Sequence, residues 1–118
     1  MKVTADGVKP GTLLHYWEYE FVARNGTDAH AVSDPWIAVI TDADARAWQA
    51  GTPENWSQQG FELARDHVYG KLPKPDGKGV YHLDAAYVED ANGIVALQLH
   101  KAGLRLAKIL NKALAKPS

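Results

Sequence analysis

The chain has 118 residues, 46% of them apolar, with 13 Lys and Arg against 14 Asp and Glu for a formal charge of −1. It has no cysteine, which excludes a disulfide framework, a thiolate zinc site and a cysteine nucleophile. The length suits one domain over residues 1–118, and no apolar run reaches the ~18–20 residues needed to span a bilayer.

Charge is unevenly placed. From Ile94 onward there are five bases (Lys101, Arg105, Lys108, Lys112 and Lys116) and no acids, leaving eight bases against 14 acids in residues 1–93, a formal −6. The acidic bulk argues against coating by nucleic acid, while the basic last helix leaves a local anion contact open.

The predicted elements are helical almost throughout. Lys2-Val3-Thr4 alternates briefly and ends at Asp6-Gly7, as a short strand or an extended lead-in. Pro10-Gly11-Thr12 supplies a stop and an N-cap, and Leu13, Leu14, Trp17, Phe21 and Val22 then fall at helical spacing up to Asn25-Gly26. The first helix is expected over Leu13–Arg24. Ser33-Asp34-Pro35 reads as a second start, opening a short segment Trp36–Ile40. Thr41-Asp42 starts a helix over Ala43–Ala50, and Thr52-Pro53-Glu54 starts another that runs to Gly70.

Lys71–Gly79, with two prolines and two glycines, reads as a connection. Asp84 caps a short helix over Ala85–Ala91, and Asn92-Gly93 marks a break or kink. The longest helix follows over Ile94–Ala115, with an apolar face of Val95, Leu99, Ala102, Leu106, Ile109, Leu110 and Ala113. The fold class is therefore all-α, with five or six helices. The closing helix is expected to pack on the first helix and on the Thr52–Val68 helix.

Candidate chemistry is sparse. His30, His67, His82 and His100 have no second histidine at helical spacing and read as structural or solvated. His15 differs, because Glu18 follows three residues later on the same helical face, and a histidine and a carboxylate so placed can share one divalent metal. Two ligands do not complete a zinc site, so a surface pair is the competing reading. Trp17, Trp48 and Trp56 read as packing residues rather than base-stacking platforms. The basic stripe Lys101, Arg105, Lys108, Lys112 and Lys116 reads as the solvated side of its helix, with phosphate contact as the alternative. Motifs for phosphate loops, nucleophile elbows and His-Glu-x-x-His are absent from the sequence.

Several stretches, in order, resemble one family. Gly11-Thr12-Leu13-Leu14-His15-Tyr16-Trp17-Glu18 is similar to the Thr-Asn-Leu-His-x-x-Trp-Asp segment of the zinc-dependent S1/P1 nucleases. Ile40-Thr41, Trp48 and Gly51-Thr52-Pro53-Glu54-Asn55-Trp56 resemble that family's Ile-Thr…Trp-x-x-Gly-Thr-Pro-x-x-Trp stretch, and Phe61 to Arg65 with Val68-Tyr69-Gly70 continue it. Tyr87, Gln98-Leu99 and Ala102 through Asn111 are similar to its closing helix.

The resemblance is to the C-terminal portion of these enzymes. It implies a phospholipase C/P1 nuclease fold, a secreted or periplasmic setting, and three zinc ions that activate water to cleave single-stranded DNA or RNA to 5′-nucleotides. It implies that His15 is a zinc ligand and that Glu18, following Trp17, is the second. The interval is one residue shorter than the family's, the acid is one methylene longer, and Leu13 replaces a polar asparagine. Gln59-Gly60 also stands where an acid and a small hydroxyl residue belong. These departures read as erasure of a site.

Met1 directly before a family-like segment fits an excised or redesigned fragment, and the residues 1–6 carry no export signal. Two functions follow as expectations. One is the C-terminal segment of a zinc-dependent nuclease, inactive as an isolated chain. The other is a non-catalytic helical scaffold or self-association module, and apolar surface left bare by a missing half predicts a homo-oligomer.

Overall fold

The structure, a computed structural model, describes residues 1–115. The chain opens with a hairpin of β1 (Lys2–Ala5) and β2 (Val8–Thr12), which turns at Asp6-Gly7 where Gly7 takes φ +75°. The strands are antiparallel, pairing Lys2 with Thr12 and Val3 with Gly11, and a short β3 (Tyr81–His82) lies parallel to β1 on its other side. This small sheet qualifies the all-α expectation. Its first strand was legible in the alternation of Lys2-Val3-Thr4, whereas β2 contains Pro10-Gly11, which hides a strand.

Among the described residues, five helices make up most of the rest. Helix α1 covers residues 13–23, and Thr12 caps it by accepting a hydrogen bond from the His15 N–H at 3.1 Å. Its middle, Tyr16–Glu20, is π-helical, with the Phe21 N–H bonded back to the Tyr16 carbonyl. The cause is packing. Bonds between residues five apart put Tyr16 and Phe21 on one face, and both are fully buried with their rings edge-on at 5.8 Å.

Helix α2 spans Ala29–Val39 and corrects the expected start at Ser33-Asp34-Pro35. Asp28 caps it by accepting from the His30 and Ala31 N–H groups, so Pro35 lies in the helix interior. Thr41 and Asp44 form a reciprocal capping box at the start of α3 (Asp42–Gln49). Thr52 and Asn55 do the same for α4, which covers residues 53–69. Its last turn and a half, Ala64–Tyr69, is again π-helical. That widening explains Gly70, where an added Cβ would sit 2.6 Å from the Arg65 carbonyl oxygen.

Helix α5 runs unbroken over Ala85–Leu114, with Asp84 accepting from the Tyr87 N–H at 2.8 Å. The break expected at Asn92-Gly93 does not occur. Gly93 costs the helix about 1 kcal/mol relative to alanine, but Ala91 and Val95 on either side are buried in the core and hold the turn together.

The core is Val3, Ala5, Leu13, Tyr16, Phe21, Leu83, Tyr87, Val88, Ala91 and Val95. It therefore joins the sheet, α1 and the first third of α5. The remainder of α5 extends past it, giving a radius of gyration of 16.9 Å and extents of 64 × 31 × 22 Å, against about 13 Å for a compact chain of 100 residues. As expected, α5 packs on α1 and on the end of α4, but its distal half lies on α3. There the expected apolar face is not covered: Leu99, Leu106, Ile109 and Leu110 are 40–56% exposed.

Candidate functional site

The segment singled out by sequence lies on the wide turn of α1. His15 is half-exposed, and its Nε2 lies 3.3 Å from Glu20 Oε1 while its ring stacks on Tyr19 at 5.3 Å. Glu18 is exposed on the same helix. The π turn decides this pairing. It brings the fifth residue onward, Glu20, within reach of His15 next to the fourth, Tyr19, and α-helical spacing gives no signal of that.

The fit to zinc can be tested on these donors. Protein zinc sites take three or four side-chain ligands, and among the described residues no three His, Cys, Asp or Glu side chains converge as a metal-holding group. His15 with one carboxylate therefore does not form a complete zinc site within this chain, and a three-zinc cluster does not fit.

Behind this surface the helix is anchored firmly. The Tyr16 hydroxyl donates to the Lys9 carbonyl at 2.9 Å, and burial pushes its pKa up. Trp17 is half-buried against the core, edge-on to both Phe21 and Tyr87. Leu13 is buried in the core.

The other histidines are distributed over separate contacts. His67 Nδ1 sits 3.0 Å from Asp90 Oδ2, which also meets Lys71 Nζ at 3.3 Å, and the His67 contact is the largest influence holding the Asp90 carboxyl below its ordinary range. This pair joins residues 23 positions apart, and nothing in the sequence announces it. His82 Nε2 meets Asp76 Oδ2 at 2.7 Å. His100 lies edge-on to Trp36 at 4.1 Å and stacks on Trp48, and burial lowers its pKa. His30 contributes its backbone N–H to the Asp28 cap.

The basic stripe is only partly the solvated side of its helix, since Lys108 and Lys112 are exposed while Lys101 and Arg105 are half-buried. Arg105 Nε donates to the Trp48 carbonyl at 2.9 Å and its Nη2 to Gln59 Oε1 at 2.6 Å, with the guanidinium 5.0 Å from the Trp56 ring centre. Lys108 Nζ donates to the Gln49 carbonyl at 2.6 Å. Burial lowers the Lys101 pKa, and Lys116 lies outside the described residues. Arg105 and Lys108 are turned toward the end of α3 because its last carbonyls, those of Trp48 and Gln49, are natural acceptors for cations. Trp48 and Trp56 accordingly pack against α5, as expected of them.

No helix among the described residues is long and apolar enough to cross a membrane. Searches of curated proteins and of solved structures returned no match. The family model for S1/P1 nuclease matches residues 1–115, taking in the His15 turn, the Thr52–Trp56 cap and α5 together, so the chain belongs to the S1/P1 nuclease family.

Proposed function

We propose that this chain is the C-terminal portion of a zinc-dependent phosphodiesterase acting on single-stranded DNA or RNA, and that it does not cleave nucleic acid alone. Family membership supports a nuclease-like function in general. The observation that carries the second half is the ligand count at His15, where one imidazole and one carboxylate meet and zinc needs at least three ligands. Within this reading His15 and Glu18 are the ligands the chain contributes, with Glu20 as the carboxylate that competes with Glu18 for the imidazole. Another polypeptide segment supplies the rest of the centre.

Calorimetric zinc titration of the wild type, His15→Ala, Glu18→Gln and Glu20→Gln, alongside incubation with denatured DNA and zinc, tests this. Weak zinc binding that disappears in His15→Ala, with no cleavage, is the expected outcome. Cleavage by the isolated chain, abolished by His15→Ala, would overturn it.

A second reading is a non-catalytic helical scaffold that self-associates. It is favoured by the row of exposed apolar side chains on the distal half of α5, since large exposed apolar patches mark association surfaces.

A further inference from the structure

Helix α2 is rich in apolar side chains, yet none of its 11 residues is fully buried. A helix that short, with Pro35 in its interior, needs tertiary contact to persist in water. It leans on α5 through Trp36, whose ring sits edge-on to His100 at 4.1 Å. Beside that contact the two helices stand apart, leaving a groove of about 380 Å³. Trp36, Ile37 and Ile40 form one wall of it, and Leu99 and Leu104 form the other. Gly103 keeps the α5 wall open, since an added Cβ there would meet nothing within 4 Å.

We propose that this groove binds a small, uncharged aromatic molecule, held between α2 and α5. The inference stands apart from both the nuclease reading and the self-association reading. Size, charge and an unmade hydrogen bond select the occupant.

The volume falls where pockets for single small molecules begin, at about 300 Å³. Among the described residues, no Asp, Glu, Lys or Arg lines the groove; its polar groups are Ser33 and His100. Burial pushes the His100 pKa down, so its ring is neutral near pH 7. A charged occupant would lose its hydration and meet no counter-charge. His100 Nε2 is buried with no hydrogen-bond partner among the described residues. In the tautomer with its proton on Nδ1, that nitrogen is an acceptor. An occupant with one N–H or O–H donor, reaching the ring as α2 yields, makes a bond the fold leaves unmade. Trp36 and Trp48 flank His100, edge-on at 4.1 Å and stacked at 6.1 Å, so a flat ring entering beside Trp36 extends an aromatic row already built.

A matched pair of fluorescent dyes tests this. N-phenyl-1-naphthylamine is uncharged and carries one N–H, and 8-anilino-1-naphthalenesulfonate adds a sulfonate to the same frame. The uncharged dye is expected to brighten and saturate at one per chain, with the sulfonate binding at least about tenfold more weakly. Gly103→Leu fills the groove from one wall and Ile37→Asp, at a 66% exposed position, charges the other. Each should raise the dissociation constant of the uncharged dye at least about tenfold, with helicity by circular dichroism unchanged. Leu110→Asp, on the exposed apolar row of α5 but outside the groove, should leave it unchanged. Absent or unsaturable binding, equal affinity for the two dyes, or full affinity in a folded Gly103→Leu or Ile37→Asp chain would each overturn the proposal. So would loss of binding in Leu110→Asp, which would place the dye on the α5 row instead.

Discussion

The Trp17 indole N–H donates to the Tyr87 hydroxyl at 3.1 Å, and that hydroxyl donates in turn to the Val68 carbonyl at 2.7 Å. One side chain from α5 thereby ties together two π-helical turns, the one holding Trp17 and the one holding Val68. Wide turns carry poorer hydrogen-bond geometry than α-helix and persist where tertiary contacts hold them. Tyr87 is 5% exposed, and burial raises its pKa, which keeps the hydroxyl protonated as a donor.

Tyr87→Phe keeps the ring and its packing but orphans the indole N–H and the Val68 carbonyl. Leaving a buried polar group unpaired costs about 1–3 kcal/mol. Urea unfolding followed by tryptophan fluorescence should therefore show a loss of about 1–2 kcal/mol with an unchanged m-value. A loss of a few tenths would mean that water replaces the phenol and that the bridge does not hold the two turns.

Two helix-interior positions predict gains. Gly93 has an ordinary helical φ, and an added Cβ would meet nothing within 4 Å, so Gly93→Ala should stabilise by about 0.5–1 kcal/mol. Pro35, exposed in the interior of α2, removes a backbone donor; Pro35→Ala should stabilise by up to about 3 kcal/mol. Thermal melts of the two variants check both values. A drop in midpoint for Gly93→Ala would show that Asn92-Gly93 serves as a hinge after all.

These positions also show how far the sequence could be read. Caps were legible because they are local: Thr12, Thr41, Thr52 and Asp84 each accept the backbone hydrogen bond that their spacing implies. Punctuation misled where tertiary packing overrode it, as at Gly93 beside buried Ala91 and Val95. At α2 a stronger start, Asp28, lay upstream of the proline. The order of family-like segments pointed to the family, and His15 stood out within it. Its contact with Glu20 was hidden, because a π turn has no signature in residue spacing. The inward turn of Arg105 was hidden too, since it depends on where α3 ends and on Gln59 of α4.

Arg105 is the test of that inward turn. It ties α5 to α3 by one hydrogen bond to the Trp48 carbonyl, and to α4 by another to Gln59 and the Trp56 face. Arg105→Ala should cost about 1.5–3 kcal/mol, the range for hydrogen bonds to charged groups. Arg105→Lys should recover little of it, because an ammonium cannot fork to two acceptors while stacking on Trp56. The acceptors are neutral, so raising salt should change stability little. If oligonucleotide binding appeared, and fell with salt in the wild type but not in Arg105→Ala, phosphate contact would replace this account.

Asp76 gives a pH prediction with a definite sign. Its carboxylate accepts from His82 at 2.7 Å and from the Lys78 and Val80 N–H groups, which together lower its pKa to about 2. A carboxyl held lower in the folded than in the unfolded chain stabilises the fold while ionised. That contribution is fully present above the unfolded value of 3.8 and fades as pH falls toward about 2. The 76–80 turn should accordingly loosen in acid, seen as faster amide exchange at Lys78 and Val80 below pH 3.8 than above it once intrinsic rates are corrected. In Asp76→Asn the difference should vanish, with exchange fast at every pH. Equal protection of both amides throughout would mean that the carboxylate does not hold the turn.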